Sequence, residues 1–107
     1  MKLAIYKFDN VTSTNDIAMN LIKKHKKKSG CIYAKLQTKG RGTYGKKWVS
    51  REGNLFASIF FQLKDNYPAS NEFLLINSII ASDLIQYYCA KSKISIKFPN
   101  DILVNKK

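Results

Sequence analysis

The chain has 107 residues, which corresponds to one domain or to part of one. With 45% hydrophobic and 24% charged residues, its composition is that of a globular rather than a disordered protein. No segment approaches the roughly 20 apolar residues of a membrane span, and the N-terminus lacks a secretory signal pattern. Two far-spaced cysteines, Cys31 and Cys89, argue against a disulfide framework or a zinc site. We therefore expect a cytoplasmic protein without a membrane partner.

The net charge of +12 is concentrated in the first half of the chain. Residues 1–51 contribute +11, residues 52–90 contribute −3 and residues 91–107 contribute +4, which sum to +12. A basic half is compatible with nucleic acid or another polyanion as a partner. However, 17 of the 19 cations are lysines, whereas surfaces that read bases rely on arginine. Because Ile and Asn are also abundant, we favour an AT-rich codon bias and keep a basic nucleic-acid-binding module as the alternative.

In chain order, the hydrophobic pattern predicts a strand at residues 3–8 and a helix that Ser13 or Thr14 caps and that stops at Ser29-Gly30. A second strand at residues 31–38, a glycine-rich basic loop at 39–47 and a long strand at 54–63 follow. The remaining predicted elements are a helix at 71–91, a strand at 94–98, a turn and the start of a further strand at 102–104. The order β-α-β-β-α-β-β predicts an α/β (α+β) fold with a mixed sheet and helices packed on it.

Two of these elements carry a burial prediction. The strand at 54–63 is apolar on both faces, which favours a position inside a sheet that is covered on both sides. The helix at 71–91 has a wide apolar stripe that must be largely buried. The stripe consists of Phe73, Ile76, Ile79, Ile80, Leu84, Tyr87 and Tyr88.

The loop segment from Gly40 to Gly45 matches the pattern GxGxxG. A dinucleotide-binding fingerprint of this form must open a helix, and here Lys46-Lys47-Trp48 and then a strand follow, so we reject that interpretation. A kinase phosphate loop is rejected too, because Lys47 stands where that loop has valine and no other kinase segment is present. Glycines, cations and aromatic side chains together suit a small anion that carries an apolar body. Composition alone leaves a mobile surface loop equally open.

Four ordered sequence blocks together resemble the biotin protein ligases. They are Ser13-Thr14-Asn15, the segment from Gln37 to Trp48, Gly53-Asn54-Leu55 leading to Ser58, and Lys97-Phe98-Pro99-Asn100-Asp101. The related lipoate ligases, which also adenylate a carboxylic acid, are an alternative. The Gly-Arg-Gly loop that ends in Trp48 and the block with Pro99-Asn100-Asp101 favour biotin.

The resemblance implies a fold like that of class II aminoacyl-tRNA synthetases and biotin ligases, with residues 1–107 as part of the catalytic domain. It also implies a reaction in two steps. Biotin and Mg-ATP form biotinyl-5′-AMP and pyrophosphate, and the biotinyl group then passes to a lysine of a biotin carboxyl carrier protein. Nucleic acid is not an expected partner in this interpretation.

Site residues follow from the same resemblance. The biotin site is assigned to Ser13, Thr14, Asn15, Gln37, Arg41, Gly42, Thr43 and Trp48. The nucleotide side is assigned to Gly40, Lys46, Asn100 and Asp101. Arg41 and Lys97 are assigned to catalysis, and no metal ion held by the protein is expected.

The chain departs from the family pattern in three ways. Thr43 stands where the family commonly has an arginine linked to retention of the adenylate, and Phe98 stands where it has tryptophan. The family also continues beyond this chain with a lysine on the adenylate and further strands. We therefore expect a truncated domain with little ligase activity, an unpaired sheet edge and a tendency to self-associate.

Overall fold

The computed structural model describes residues 2–107, and the chain divides into two units at Leu63 and Lys64. The first unit contains β1 (Ile5–Val11), α1 (Thr14–Lys23), β2 (Ser29–Gln37), a 3-10 turn (Thr43–Gly45) and β3 (Phe56–Phe61). The second unit contains α2 (Ser70–Tyr88), β4 (Ile94–Lys97) and β5 (Asp101–Val104). This order confirms the predicted sequence of strands and helices.

A mixed sheet of order β1-β2-β3 forms the first unit, as predicted. β1 and β2 are parallel because α1 carries the chain back between them, whereas β2 and β3 are antiparallel. β1 extends three residues beyond the predicted end at Phe8, since its backbone stays paired with β2 as far as Val11 and Gln37. Backbone pairing therefore continues through polar residues that the hydrophobic pattern excluded.

The core of the first unit lies between the sheet and α1. Ile32 in the middle of β2 is fully buried and packs with Ala18 of α1 and Phe60 of β3. Gly30 allows this packing, because a Cβ there would lie only 2.8 Å from the ring of Phe60 and 3.1 Å from that of Tyr6.

The prediction that β3 is covered on both faces is wrong. Phe56 and Phe60 are buried on the face toward α1, but Ile59 on the other face is 61% exposed. Within residues 2–107, β3 pairs only with β2 and therefore lies at an edge of its sheet. Apolar residues on both faces of a strand show that both faces are suited to burial. In this structure α1 covers only one face of β3.

The prediction that the stripe of α2 is largely buried is also wrong. Ile80, Leu84 and Tyr88 have exposed side chains, and Ser78 is the buried residue of the helix. Within its own unit, α2 packs against the two-stranded β4–β5 hairpin, which is too narrow to cover a wide stripe.

Neither α1 nor α2, the helices described within residues 2–107, combines the length and the apolar character that a membrane-spanning helix needs.

Candidate functional site

Ser13 fixes the start of α1. Its backbone is extended, with φ −159° and ψ 140°, and its hydroxyl oxygen accepts the backbone N–H groups of Asn15 (3.2 Å) and Asp16 (3.4 Å). These are orphan donors at a helix start, so of the two predicted cap residues, Ser13 and Thr14, the structure has Ser13 as the cap. The cap places Thr14, Asn15 and Asp16 on the first turn, beside the end of β2.

A cluster of polar side chains joins this helix start to the sheet. The side-chain oxygen of Gln37 accepts the backbone N–H of Thr14 at 2.8 Å and the hydroxyl of Thr14 at 3.2 Å. The hydroxyls of Thr14 and Ser58 lie 2.8 Å apart, and that of Ser58 lies 2.5 Å from the side-chain oxygen of Asn15. Gln37 in turn donates from its amide nitrogen to Ser50 at 3.1 Å. We call Thr14, Asn15, Gln37, Ser50 and Ser58 the polar cluster.

Proton counting shows what the polar cluster offers chemically. A backbone N–H only donates, so the carbonyl of Gln37 must face Thr14 and its amide nitrogen must face Ser50. The hydroxyls of Thr14 and Ser58 have one proton each, yet they take part in three contacts with oxygen atoms. One contact therefore lacks a proton unless Asn15 turns its amide nitrogen toward Ser58. The cluster is neutral, and it offers both donors and acceptors to a polar ligand.

The glycine-rich loop has a closed stem and an open tip. The backbone N–H of Trp48 donates to the carbonyl of Gly40 at 2.8 Å, and Arg41 forms a β-bridge with Lys47. Beyond this stem, Tyr44 and Gly45 have left-handed backbones with φ of 56° and 72°. The chain thus turns back sharply at the tip, and glycine at position 45 suits the left-handed backbone there.

Gly40 connects the loop stem to the polar cluster. It is buried, and a Cβ at this position would lie 2.7 Å from the carbonyl oxygen of Trp48 and 2.8 Å from the hydroxyl of Ser50. The same Cβ would lie 3.0 Å from the amide nitrogen of Gln37. Only glycine fits this approach, so the loop stem and the cluster form one packed arrangement.

Arg41 is paired with the helix start. Its Nη2 atom lies 2.6 Å from Oδ1 of Asp16, and the two side chains are 52% and 39% exposed. The other oxygen of Asp16 lies 3.5 Å from the hydroxyl of Thr12. The loop cation is therefore held beside the first turn of α1, on a surface that an anion in solution is able to reach.

Most of the remaining predicted site residues lie on this loop. Thr43, Lys46 and Trp48 are exposed, and Trp48 is 59% exposed. The backbone N–H of Gly42 donates to the carbonyl of Lys46 at 2.6 Å, so this N–H is paired within the loop. All the residues predicted for biotin, along with Gly40 and Lys46, therefore lie in the first unit. Direct contacts join Thr14, Asn15 and Gln37 in the polar cluster, whereas Thr43 and Lys46 lie on the exposed part of the loop.

Lys97, Asn100 and Asp101 belong to the second unit, where a tight hairpin brings them together. Lys97 and Asp101 are partners in the register of β4 and β5, and all three residues are exposed. The hydroxyl of Ser78 lies 3.0 Å from the carbonyl of Pro99 and so ties the turn to α2. A lysine, an amide and a carboxylate are therefore presented on one turn.

Three residues of the site were not predicted from the sequence. Ser50 and Asp16 come into contact with it only through the path of the loop. Ser58 had a signal, because it is the one polar residue between Phe56 and Phe60 on the buried face of β3. Within residues 2–107, no group of three or more His, Cys, Asp or Glu side chains is placed to hold a metal ion.

Comparison with known proteins shows which proteins the chain is similar to. Residues 7–107 match the model of the biotin/lipoate A/B protein ligase family. The chain is 33% identical over 93 residues to the bifunctional ligase/repressor BirA of Escherichia coli, covering 86% of this chain and 28% of that protein.

Two solved structures extend the likeness to the fold. The biotin protein ligase of Leishmania major in complex with biotinyl-5-AMP gives a TM-score of 0.84 at 27% identity, covering 100% of this chain and 49% of that one. The biotin protein ligase of Aquifex aeolicus in complex with biotin and ATP gives 0.75 at 27% identity, covering 92% and 40%. The chain therefore spans less than half the length of each of these relatives.

Proposed function

The chain belongs to the biotin/lipoate A/B protein ligase family, and we propose that it carries part of the catalytic domain of a biotin ligase. In this proposal, the protein joins biotin and ATP to form biotinyl-5′-AMP and pyrophosphate. The biotinyl group is then transferred to a lysine of a biotin carboxyl carrier protein. The observation that carries the proposal is the neutral polar cluster packed beside a cationic glycine loop within one unit.

The biotin end of the site is proposed at the polar cluster. The head of biotin is a neutral cyclic urea, which needs hydrogen-bond donors and acceptors but no charge. Thr14, Asn15 and Gln37 supply both kinds of group, with Ser13 holding the helix turn that presents them. Trp48 is part of the loop stem, through its N–H bond to Gly40, and is assigned to the wall of the biotin site.

The reacting end is proposed at the loop. Adenylation brings a carboxylate oxygen to the α-phosphorus of ATP, so two anions have to approach each other as pyrophosphate leaves. Arg41 supplies a cation and Thr43 a hydroxyl donor, which together stabilise the combined negative charge. Gly42 is assigned to the same end because a residue without a side chain lets the ligand approach closely, while its N–H stays bonded to Lys46. A loop that closes over a reactive acyl-adenylate also keeps water away from it.

For the nucleotide, the proposal assigns Gly40 and Lys46 within the first unit and, separately, the turn of the second unit that carries Lys97, Asn100 and Asp101. Lys97 is the second catalytic cation of the proposal, and the amide and carboxylate on its hairpin offer hydrogen bonds to adenosine. The described residues do not supply a carboxylate set fit to hold Mg²⁺. In this proposal the ion arrives on the phosphates of ATP.

Biotin is favoured over lipoate because the similar solved structures are biotin ligases in complex with biotin, biotinyl-5-AMP and ATP. The free thiols Cys31 and Cys89 and the need for ATP support a cytoplasmic location. The exposed stripe of α2 supports self-association as a property of the chain.

Calorimetric titration tests the function directly. Biotin is titrated into the protein alone and in the presence of ATP, and lipoate is titrated in parallel. We expect saturable binding of biotin, with lipoate binding much more weakly. Saturable binding of lipoate in place of biotin would assign the chain to the lipoate branch, and binding of neither would contradict the proposal.

A further inference from the structure

We propose that Asp16 is a positioning residue for Arg41, an inference that rests on the function proposed above. The carboxylate of Asp16 engages Nη2 of the guanidinium at 2.6 Å. An arginine has further N–H groups on its other nitrogens, and in our proposal these meet the carboxylate of biotin and the phosphate of the adenylate. Asp16 therefore orients the cation without occupying all its donors.

Asp16 is itself held on three sides. Its backbone N–H donates to the cap Ser13 at 3.4 Å, so its place on the first turn of α1 is set by the helix start. Its Oδ1 atom faces Arg41, and its Oδ2 atom lies 3.5 Å from the hydroxyl of Thr12. A carboxylate in the first turn is also favoured by the helix dipole, whether or not it is paired with a cation.

Arg41 is consequently fixed at both ends. Its backbone forms the bridge with Lys47 next to the closed stem at Gly40, and its guanidinium is bound to Asp16. A long side chain that is already ordered loses less conformational freedom when a ligand binds. The structure thus points to an arginine that is preorganised before biotin arrives.

A purely electrostatic view of the pair gives the opposite expectation. Removing a negative charge from the neighbourhood of an anion site makes that site more attractive to anions. If Asp16 only diminished the positive charge, its replacement by asparagine would strengthen biotin binding. If Asp16 positions Arg41, the same replacement weakens binding, so the direction of the change decides between the two.

The test compares Asp16→Asn with Asp9→Asn. Asp9 also pairs with a cation of the first unit, Lys35 at 3.3 Å, so its variant changes the charge equally at a different place. We expect Asp16→Asn to weaken biotin binding about tenfold in calorimetric titration, Asp9→Asn to leave it unchanged and Asp16→Glu to restore part of the affinity. In the Arg41→Ala background, Asp16→Asn should cause no further loss. Circular dichroism spectra that match that of the unchanged protein confirm that the variants fold.

A second readout does not depend on any ligand. The chain contains two arginines, Arg41 and Arg51, and both are exposed. We expect phenylglyoxal, followed by peptide mass spectrometry, to modify Arg41 more slowly than Arg51, and Asp16→Asn to abolish this difference.

The two readouts separate the possible failures. Equal reactivity of the two arginines in the unchanged protein would overturn the inference, as would biotin binding that is as tight or tighter in Asp16→Asn. Slow modification of Arg41 together with no binding of biotin at all would instead overturn the proposed function and leave the positioning of Arg41 intact.

Discussion

The side-chain carbonyl of Gln37 accepts the backbone N–H of Thr14 across 2.8 Å, and this bond links the last residue of β2 to the first residue of α1. Thr14 is buried, so its N–H has little access to water if the carbonyl is removed. The bond therefore contributes to the folding of the first unit as well as to the shape of the site.

Gln37→Leu is expected to lower the free energy of unfolding of the first unit by about 1–3 kcal/mol, because a buried donor is left unsatisfied. The measurement is urea unfolding followed by the fluorescence of Trp48, the one tryptophan of the chain. Gln62→Leu, at an exposed position, is the matched control and should leave the unfolding midpoint unchanged. Equal midpoints for the two variants would show that the Gln37–Thr14 bond carries no net stability.

Arg41→Ala is expected to weaken the binding of biotin and of biotinyl-AMP together, since one cation serves both anions. A charge-assisted contact is worth roughly 1.5–3 kcal/mol, which corresponds to about ten- to a hundred-fold in affinity. Calorimetry on both ligands measures the change, and Arg51→Ala controls for the loss of an exposed arginine in the same unit. Unchanged biotin affinity in Arg41→Ala would remove Arg41 from the proposed site.

Thr43→Arg is expected to slow the release of biotinyl-AMP. Thr43 is exposed on the loop tip and has no charge with which to retain an adenylate, whereas an arginine there adds a phosphate-binding cation. Stopped-flow measurement of release compares the variant with Thr43→Gln, which adds length without charge. Identical release rates for all three proteins would show that this position does not retain the adenylate.

Gly40→Ala is expected to destabilise the first unit and to disturb the loop stem, because the new methyl group would meet backbone and side-chain atoms at 2.7–3.0 Å. Gly42→Ala is the matched control, since its methyl group would have ordinary contacts of 3.6 Å and more. The free energies of unfolding of the two variants, measured by thermal unfolding, should differ by about 1–3 kcal/mol, the usual cost of overpacking. Similar unfolding temperatures would mean that the stem shifts easily to accept a side chain.

Local features of this fold were predictable from the sequence, because they depend on neighbours in the chain. A helix cap at Ser13 or Thr14 is predicted from the small hydroxyl side chains before an apolar repeat, and the structure has it at Ser13. The order of strands and helices follows from the periodicity of the apolar residues in the same way.

Features that depend on tertiary neighbours were not predictable. Periodicity identified the apolar faces of β3 and α2, but it does not tell which element covers a face, so both burial predictions were wrong. The contacts of Ser50 and Asp16 arise from the path of a loop whose glycines permit many conformations. The proposed site residues come from the resemblance to a family, because local patterns did not reveal them.

The closed stem of the glycine loop determines which loop residues can be substituted without affecting the fold. The two sides of the loop are joined at its base by Gly40, Arg41, Lys47 and Trp48. The folding of the first unit therefore depends little on the side chains beyond this base. Tyr44 and Thr43 at the tip are exposed, and only Gly45, with its left-handed backbone, favours a particular residue type. We therefore expect substitutions of exposed tip residues such as Thr43 to leave the folding of the unit unchanged, so that an exchange of threonine and arginine there would act on the ligand alone.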